Sequence, residues 1–441
     1  MMKYFNKTIL AVAVTLASSQ AMAAGFQLNS QSATGLGRAF AGDAVIADNA
    51  SVLSRNPAAM ALFDEKSLSV GAAYADLDVN ISDVSTPLGN YGSVEGVAES
   101  KLIPNFYYIQ PINDKWAFGV AGFSNFGTGT DLTSLANSNP KMDNGTVIPA
   151  PAPVDLLGNT EIVTMNFNAS LSYRFNEHFS VGAGVDVIYG EGNLSREGNL
   201  PLGDNNNMVP VSLVDVEADG IAFGGILGAV YEFNADHRLG MSYRFSPEFK
   251  ATGDVNMTQP GLGTIAFDEI NIPMPDIFQV AGFHQLTEKF ALHYTAQLTT
   301  WGDFHEITVT DGQLANGTAV GDAVLKQYAW EDSWLFSVGG TYTINENWKV
   351  RAGYMHDQGV VGDVSSLSIP DSDRNWYTAG VSYNLSTQST IDMGIAFVRG
   401  EDVHVTENSS VISAIPGLNG DVTAYTRSDA IYYSVQYSYQ F

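Results

Sequence analysis

From Ile431 to Phe441 the chain alternates without a break. Odd positions are Ile431, Tyr433, Val435, Tyr437, Tyr439 and Phe441; even positions are Tyr432, Ser434, Gln436, Ser438 and Gln440. A period of two puts each set on one face of a β-strand. So many aromatics on one face fit a strand with lipid on one side and a polar lumen on the other. The pattern recurs where Met165, Phe167, Ala169, Leu171, Tyr173 and Phe175 oppose Asn166, Asn168, Ser170, Ser172 and Arg174, and again from Phe336 to Ile344 and from Tyr377 to Leu385. Fourteen such segments start near residues 67, 104, 115, 160, 177, 217, 237, 275, 289, 333, 347, 374, 388 and 429. The gaps between them alternate short and long. Asn113-Asp114, Asn176-Glu177, Asn234-Ala235-Asp236, Thr287-Glu288, Asn345-Glu346-Asn347 and Ser386-Thr387-Gln388 read as tight turns, where Asn and Asp tolerate the left-handed conformation. Long loops are expected over about 78–103, 127–159, 194–216, 252–274, 310–330, 359–373 and 401–428. Six short and seven long connections are what fourteen strands with both termini in the periplasm require. An even count lets the sheet seal, and an open edge would leave unsatisfied backbone groups in lipid. The expected fold is all-β: a fourteen-stranded antiparallel transmembrane barrel over residues 66–441.

Two stretches escape the pattern. Residues 24–65 are rich in Gly, Ala, Ser and Asn, hold no helix or strand period, and carry Pro57, which blocks regular structure. Fourteen strands enclose a lumen too wide for their own side chains to fill, so this segment is expected to be a hatch plugging the barrel. Ahead of it, Lys3 and Lys7 precede an apolar run from Thr8 to Ala17 and a small-residue site, Ala21-Met22-Ala23. Residues 1–23 therefore read as a signal peptide, cut between Ala23 and Ala24. No stretch approaches the ~20 apolar residues of a membrane-spanning helix.

Charge and residue chemistry narrow the function. The formal charge of −27 becomes −29 once Lys3 and Lys7 are removed, which argues against nucleic acid as a partner. Acidic outer loops bridged by divalent cations to lipopolysaccharide phosphates would fit. Cysteine is absent, so neither disulfides nor thiolate metal sites are available. The seven histidines form no metal or catalytic constellation, and no Gly-x-Ser-x-Gly elbow occurs. Gly35-Leu36-Gly37-Arg38-Ala39-Phe40 lacks the preceding strand and third Gly of a dinucleotide fingerprint. No cofactor, no metal and no enzymatic activity are expected.

Ala24-Gly25-Phe26-Gln27-Leu28-Asn29, Gly35-Leu36-Gly37-Arg38-Ala39 and Ser54-Arg55-Asn56-Pro57-Ala58 resemble the hatch of the outer-membrane long-chain fatty-acid transporter family, FadL. Pro111-Ile112-Asn113-Asp114, Ser124-Asn125-Phe126-Gly127, Ser368-Ile369-Pro370-Asp371-Ser372-Asp373-Arg374 and the terminal aromatic strand extend the likeness over Ala24–Phe441. The resemblance implies a fourteen-stranded barrel with a hatch and passive uptake of a long-chain fatty acid or other hydrophobic small molecule. Ligand would be captured between outer loops, held in an apolar pocket beside the hatch terminus, and released sideways where the third strand kinks inward. Phe26 and Leu28 match the ligand-contacting hatch terminus; Asn56, Pro57 and Ala58 match the hatch turn near the lateral gap. The kink falls on Ser124, Asn125, Phe126 and Gly127, a stretch that on pattern alone reads either as a bulge or as an ordinary strand end. Arg196 and Lys326 match basic residues near the ligand headgroup; on pattern alone each is a solvated loop charge. Asp357 matches an acidic residue of the eleventh strand and shares a lumen-facing register with Lys349 and Arg351, so an Asp357–Arg351 ion pair is expected. Loop 194–216 is short for the family, loop 127–159 is long, and Glu331 replaces a further basic residue. The expected location is the outer membrane of a Gram-negative bacterium, as a monomer, with Phe441 serving the outer-membrane assembly machinery. An aromatic or terpenoid hydrocarbon ligand, a general polar porin and a surface receptor remain as alternatives.

Overall fold

The computed structural model describes residues 25–202, 207–259, 261–362 and 365–441; the expected signal peptide, residues 1–23, lies outside them. Fourteen antiparallel strands form the wall. The first seven are Ser67–Thr86, Lys101–Pro111, Trp116–Phe123 continuing as Gly127–Asp131, Asn159–Arg174, Phe179–Leu202, Asn207–Asn234, and His237–Phe245 continuing as Glu248–Gln259. The eighth runs in pieces from Gly263 to Gln285, the ninth is Phe290–Thr299 with Glu306–Leu314, and the tenth is Ala319–Gln327 with Ser333–Thr343. Trp348–Asp357, Arg374–Asn384, Ser389–Gly400 with Val403–Asn408, and Asp421–Gln440 complete the set. Each pairs with its sequence neighbours, and the fourteenth returns to the first from Ser67↔Gln440 to Ser85↔Thr423. The ring is closed.

The expected alternation decides which face meets lipid. In the last strand Tyr433, Val435, Tyr437 and Phe441 are exposed, whereas Tyr432, Ser434, Gln436 and Ser438 are buried. All six tight turns use one device. Asn113, Asn176, Asn234 and Asn345 each accept, through Oδ1, the backbone N–H groups two and three residues on. Thr287 and Ser386 do the same through Oγ1 and Oγ. None of these residues has a positive φ, so the side chain is selected as a hydrogen-bond acceptor and not for the left-handed conformation.

The long connections differ from expectation. Much of 194–216, 252–274, 310–330 and 401–428 is strand: the fifth strand runs on to Leu202, the sixth starts at Asn207, and the seventh reaches Gln259. These hairpins stand outside the bilayer, where no lipid enforces alternation, so their pattern fades although their ladders do not.

Residues 25–63 lie almost wholly buried within the ring. Short turns Ala33–Leu36, Ala50–Ser54 and Pro57–Leu62 are capped by Ser32, Asn49 and Asn56. Asn56 Oδ1 accepts from Ala58 N (3.0 Å), and Nδ2 donates to the carbonyls of Ala44 (2.8 Å) and Ala229 (3.1 Å), tying this turn to the sixth strand. A Cβ added at Gly228 would fall 1.9 Å from Asn56 Oδ1, and one at Gly182 would fall 2.4 Å from Ala58 N. The wall is therefore bare where the hatch turn presses on it.

Ion pairs fix the other side of the hatch. Arg38 pairs with Asp43 (2.8 Å) and Asp48 (2.9 Å), and Arg351 reaches Asp48 (3.4 Å) and Asp392 (3.6 Å). The expected Asp357–Arg351 pair does not form. Six residues along one strand separate the two by ~20 Å, and Arg351 is engaged by Asp48 and Asp392 instead. Asp357 lies opposite Arg374 in the ladder. Asp48 sits in the hatch, outside the membrane-spanning strands. Burial would raise its carboxyl, but Arg38, Arg351 and Lys349 outweigh that and hold it down at about 2.

A carboxyl lowered by folding stabilises the folded state fully above its unfolded value near pH 4, and that contribution fades as pH falls towards 2. Amide exchange in residues 38–50, corrected for intrinsic rate, is expected to rise as pH drops from about 4 to 2. Asp48→Asn should show the raised exchange already at neutral pH; wild-type exchange in the variant would remove Asp48 from the clasp.

Candidate functional site

The third strand is broken where the sequence places its kink. Phe123 pairs with Asn166 and Gly127 with Val163, so four steps on the third strand face three on the fourth. That is a one-residue bulge. Beyond it, Gly127–Asp131 pairs only with the fourth strand, while the second strand pairs with the third only from Phe106 to Pro111. Among the described residues no ladder joins Lys101–Asn105 to Gly127–Asp131, leaving a gap in the wall. Ser124, Asn125, Phe126 and Gly127 all lie at its edge and are buried.

The hatch terminus closes this edge. Gln27 bridges to Phe126, with Gly127 N donating to Phe26 O (2.8 Å) and Leu28 N to Asn125 O (2.6 Å). Gln31 Nε2 donates to Ser124 O (2.9 Å) and Asn125 Oδ1 (3.1 Å). Asn105 and Asn166 have both side-chain polar atoms buried and unpaired beside the gap, so the opening is polar on its inner side. Asn56, Pro57 and Ala58 press on the fifth and sixth strands; they anchor the hatch without forming this edge.

Phe26 is fully buried in an aromatic cage. Its ring centroid lies 4.7 Å from Trp301, 5.3 Å from Phe304, 5.8 Å from Trp330 and 5.9 Å from Phe126. Leu28 points into a separate apolar cluster with Leu36, Met355 and Trp376. The Phe26 cluster continues into Phe249, Ile270, Ile272, Met274 and Ile307, and those residues border a narrow, partly enclosed apolar cavity. Neither Phe26 nor Leu28 borders that space itself.

Arg196 and Lys326 do, and the structure brings them together at the cavity's outer end. Both stand on extracellular extensions, beyond the membrane-spanning stretches. Arg196, 5% exposed, donates through Nη1 to the carbonyls of Asn159 (2.7 Å) and Ser195 (2.8 Å), and through Nη2 to Thr160 Oγ1 (2.8 Å). It has no ion pair among the described residues. Burial pushes its guanidinium down to about 10. Burial and then the Arg196 charge push the Lys326 ammonium down as well, against Asp155. Lys326 also contacts Glu407 of the last outer hairpin. Asp155, Val214, Leu325 and Lys326 border a second, open groove outside, lined further by Leu200, Met257 and Val411. Two cations at the end of an apolar cavity can neutralise one anionic headgroup while a hydrocarbon tail fills the rest.

Sequence reasoning missed the cage of Trp301, Phe304 and Trp330, the apolar lining from Phe249 to Ile307, and Glu407. The aromatics of Trp301-Gly302-Asp303-Phe304 and Tyr328-Ala329-Trp330 were a signal, but the first group precedes, and the second lies within, the segment 310–330 expected to be a loop.

The family model described as outer membrane protein transport protein (OMPP1/FadL/TodX) matches residues 14–441. The long-chain fatty acid transport protein of Escherichia coli O6:H1 is 32% identical over 435 residues, covering 91% of this chain and 93% of that one. Outer membrane protein P1 of Haemophilus influenzae is 30% identical over 455 residues, covering 93% of each. Among solved structures, a Pseudomonas aeruginosa FadL homologue superposes with TM-score 0.76 at 22% identity, covering 95% of this chain and all of that one. The Pseudomonas putida toluene transporter TodX gives 0.62 at 21% identity, over 89% of this chain and 94% of its own. These two likenesses bear on the fold alone. Taken with the closed ring and its internal plug, the sequence matches make this chain an outer-membrane β-barrel belonging to the OMPP1/FadL/TodX family of transport proteins.

Proposed function

We propose that the chain takes up long-chain fatty acids or closely similar hydrophobic anions passively across the outer membrane. Ligand is gathered in the outer groove, passes Lys326 into the apolar cavity, and leaves sideways between the second and third strands when residues 26–31 withdraw from the bulge. The observation that carries this reading is a buried guanidinium, Arg196, with only neutral acceptors, at the end of an apolar cavity beside a second cation. Each buried methylene contributes ~0.8 kcal/mol, so the tail supplies most of the affinity. A carboxylate taken from water unpaired loses several kcal/mol, so the cations decide which headgroup is accepted. The relatives near 30% identity that are named for a ligand are named for long-chain fatty acids, which favours that class over toluene-like cargo. A neutral aromatic would leave the Arg196 charge with neutral acceptors alone.

Replacing Arg196 or Lys326 with Ala is expected to weaken oleate binding by about tenfold or more while sparing a neutral alkane. Unchanged oleate affinity in both variants would remove the headgroup role. The lateral path has its own test. Gln27 and Phe126 form a pair whose flanking hydrogen bonds belong to their neighbours, which places their Cα atoms ~4.5 Å apart, within disulfide reach. The chain has no native cysteine, so a Gln27→Cys/Phe126→Cys pair can be oxidised cleanly. Uptake should stop in the oxidised protein and return on reduction; full uptake while oxidised would mean that the hatch terminus need not move.

A further inference from the structure

Lys326 has a carboxylate partner supplied by the chain itself. Glu407 lies in the strand Val403–Asn408, is 7% exposed, and sets one carboxylate oxygen against Lys326 Nζ. Its other oxygen accepts from Leu367 N (2.9 Å). The adjoining Thr406 exchanges hydrogen bonds with Ser365: its N donates to Ser365 Oγ (3.2 Å) and its carbonyl accepts from the same hydroxyl (3.1 Å). Segment 365–368 and the last outer hairpin are thus strapped together, and Glu407 hooks that strap onto the tenth strand at the border of groove and cavity.

Asp155 stands at the same border but is committed elsewhere. It accepts from Ser409 Oγ (2.5 Å), Ser410 N (2.6 Å) and Ser410 Oγ (2.8 Å). Glu407 is different, because releasing Lys326 frees one oxygen and leaves the other on its backbone donor. The charge count is also uneven. Lys326 has a directly paired carboxylate and Arg196 has none among the described residues, so an incoming carboxylate meets one cation not yet paired.

We infer that Glu407 is an internal stand-in for the ligand carboxylate, holding Lys326 across the passage until a carboxylate ligand takes its place. The inference rests on the headgroup reading above. Glu407 thereby becomes a specificity-determining residue. A carboxylate can exchange for it at Lys326, whereas an uncharged amphiphile of equal length offers nothing to exchange and leaves the Lys326–Glu407 pair in place.

The test uses the full-length protein in nanodiscs with oleate and oleyl alcohol as probes. Glu407→Gln keeps the shape and an acceptor for Leu367 N but removes the charge. It should tighten oleate by about tenfold and leave oleyl alcohol unchanged. In a Lys326→Gln background the same substitution should have no effect on oleate, since the two residues act as a pair. Glu407→Ala should tighten oleate as well, so the outcome does not hang on one variant folding. Oleate binding that is unchanged or weaker in these variants, or oleate and oleyl alcohol shifting together, would overturn the assignment. If Lys326→Ala and Arg196→Ala leave oleate unaffected, the headgroup reading itself has failed. If they weaken oleate while Glu407→Gln changes nothing, only the role of Glu407 is lost.

Discussion

A backbone amide left unpaired in hydrocarbon costs several kcal/mol, and this wall satisfies its own amides by closing on itself. The exception is the bulge in the third strand, where the ladder to the second strand stops after Phe106. Two hydrogen bonds from the hatch, Gly127 N to Phe26 O and Leu28 N to Asn125 O, replace what the missing strand pairing would have supplied. Residues 26–28 thus patch the wall at this point. Such a patch can leave without unfolding the barrel, because the first and fourth strands keep their ladders on either side.

The rest of the hatch is held more firmly, and by different chemistry at each end. Asn56 and the bare glycines of the fifth and sixth strands lock the Pro57 turn through close packing. Arg38, Asp48 and Arg351 clasp the middle through ion pairs. Against those anchors the terminus has one aromatic side chain in a cage and a handful of hydrogen bonds. On the proposed route, motion confined to residues 26–31 would open a path towards lipid while the bore stays filled. A hydrophobic cargo gains from such a path, since it need never cross the periplasmic end of the lumen.

The strands that meet lipid were legible because the bilayer forces alternation on every residue it touches; Tyr433, Val435 and Tyr437 show it plainly. The turns were legible through Asn113, Asn176, Asn234 and Asn345, although what those residues supply is an acceptor and not a backbone conformation. Above the membrane the constraint vanishes, and Leu194 and Ser195 fall in the expected loop while continuing a ladder. Period two placed Asp357 and Arg351 on one face correctly, yet a shared face says nothing about distance along the strand. The cage around Phe26 takes Trp301 and Phe304 from the ninth strand and Trp330 from the neighbouring tenth, and insertion of the hatch brings Phe26 to them. Arg196 and Lys326 entered through family resemblance; their adjacency at one cavity is a property of the fold.

Ion conductance across a planar bilayer tests most directly whether the bore is filled and the route is lateral. The intact chain should pass no steady current at any moderate voltage, because the hatch occupies the lumen and the gap faces lipid. A large, steady, ohmic current through the unmodified protein would mean an open aqueous channel and would contradict a sideways path for hydrophobic cargo.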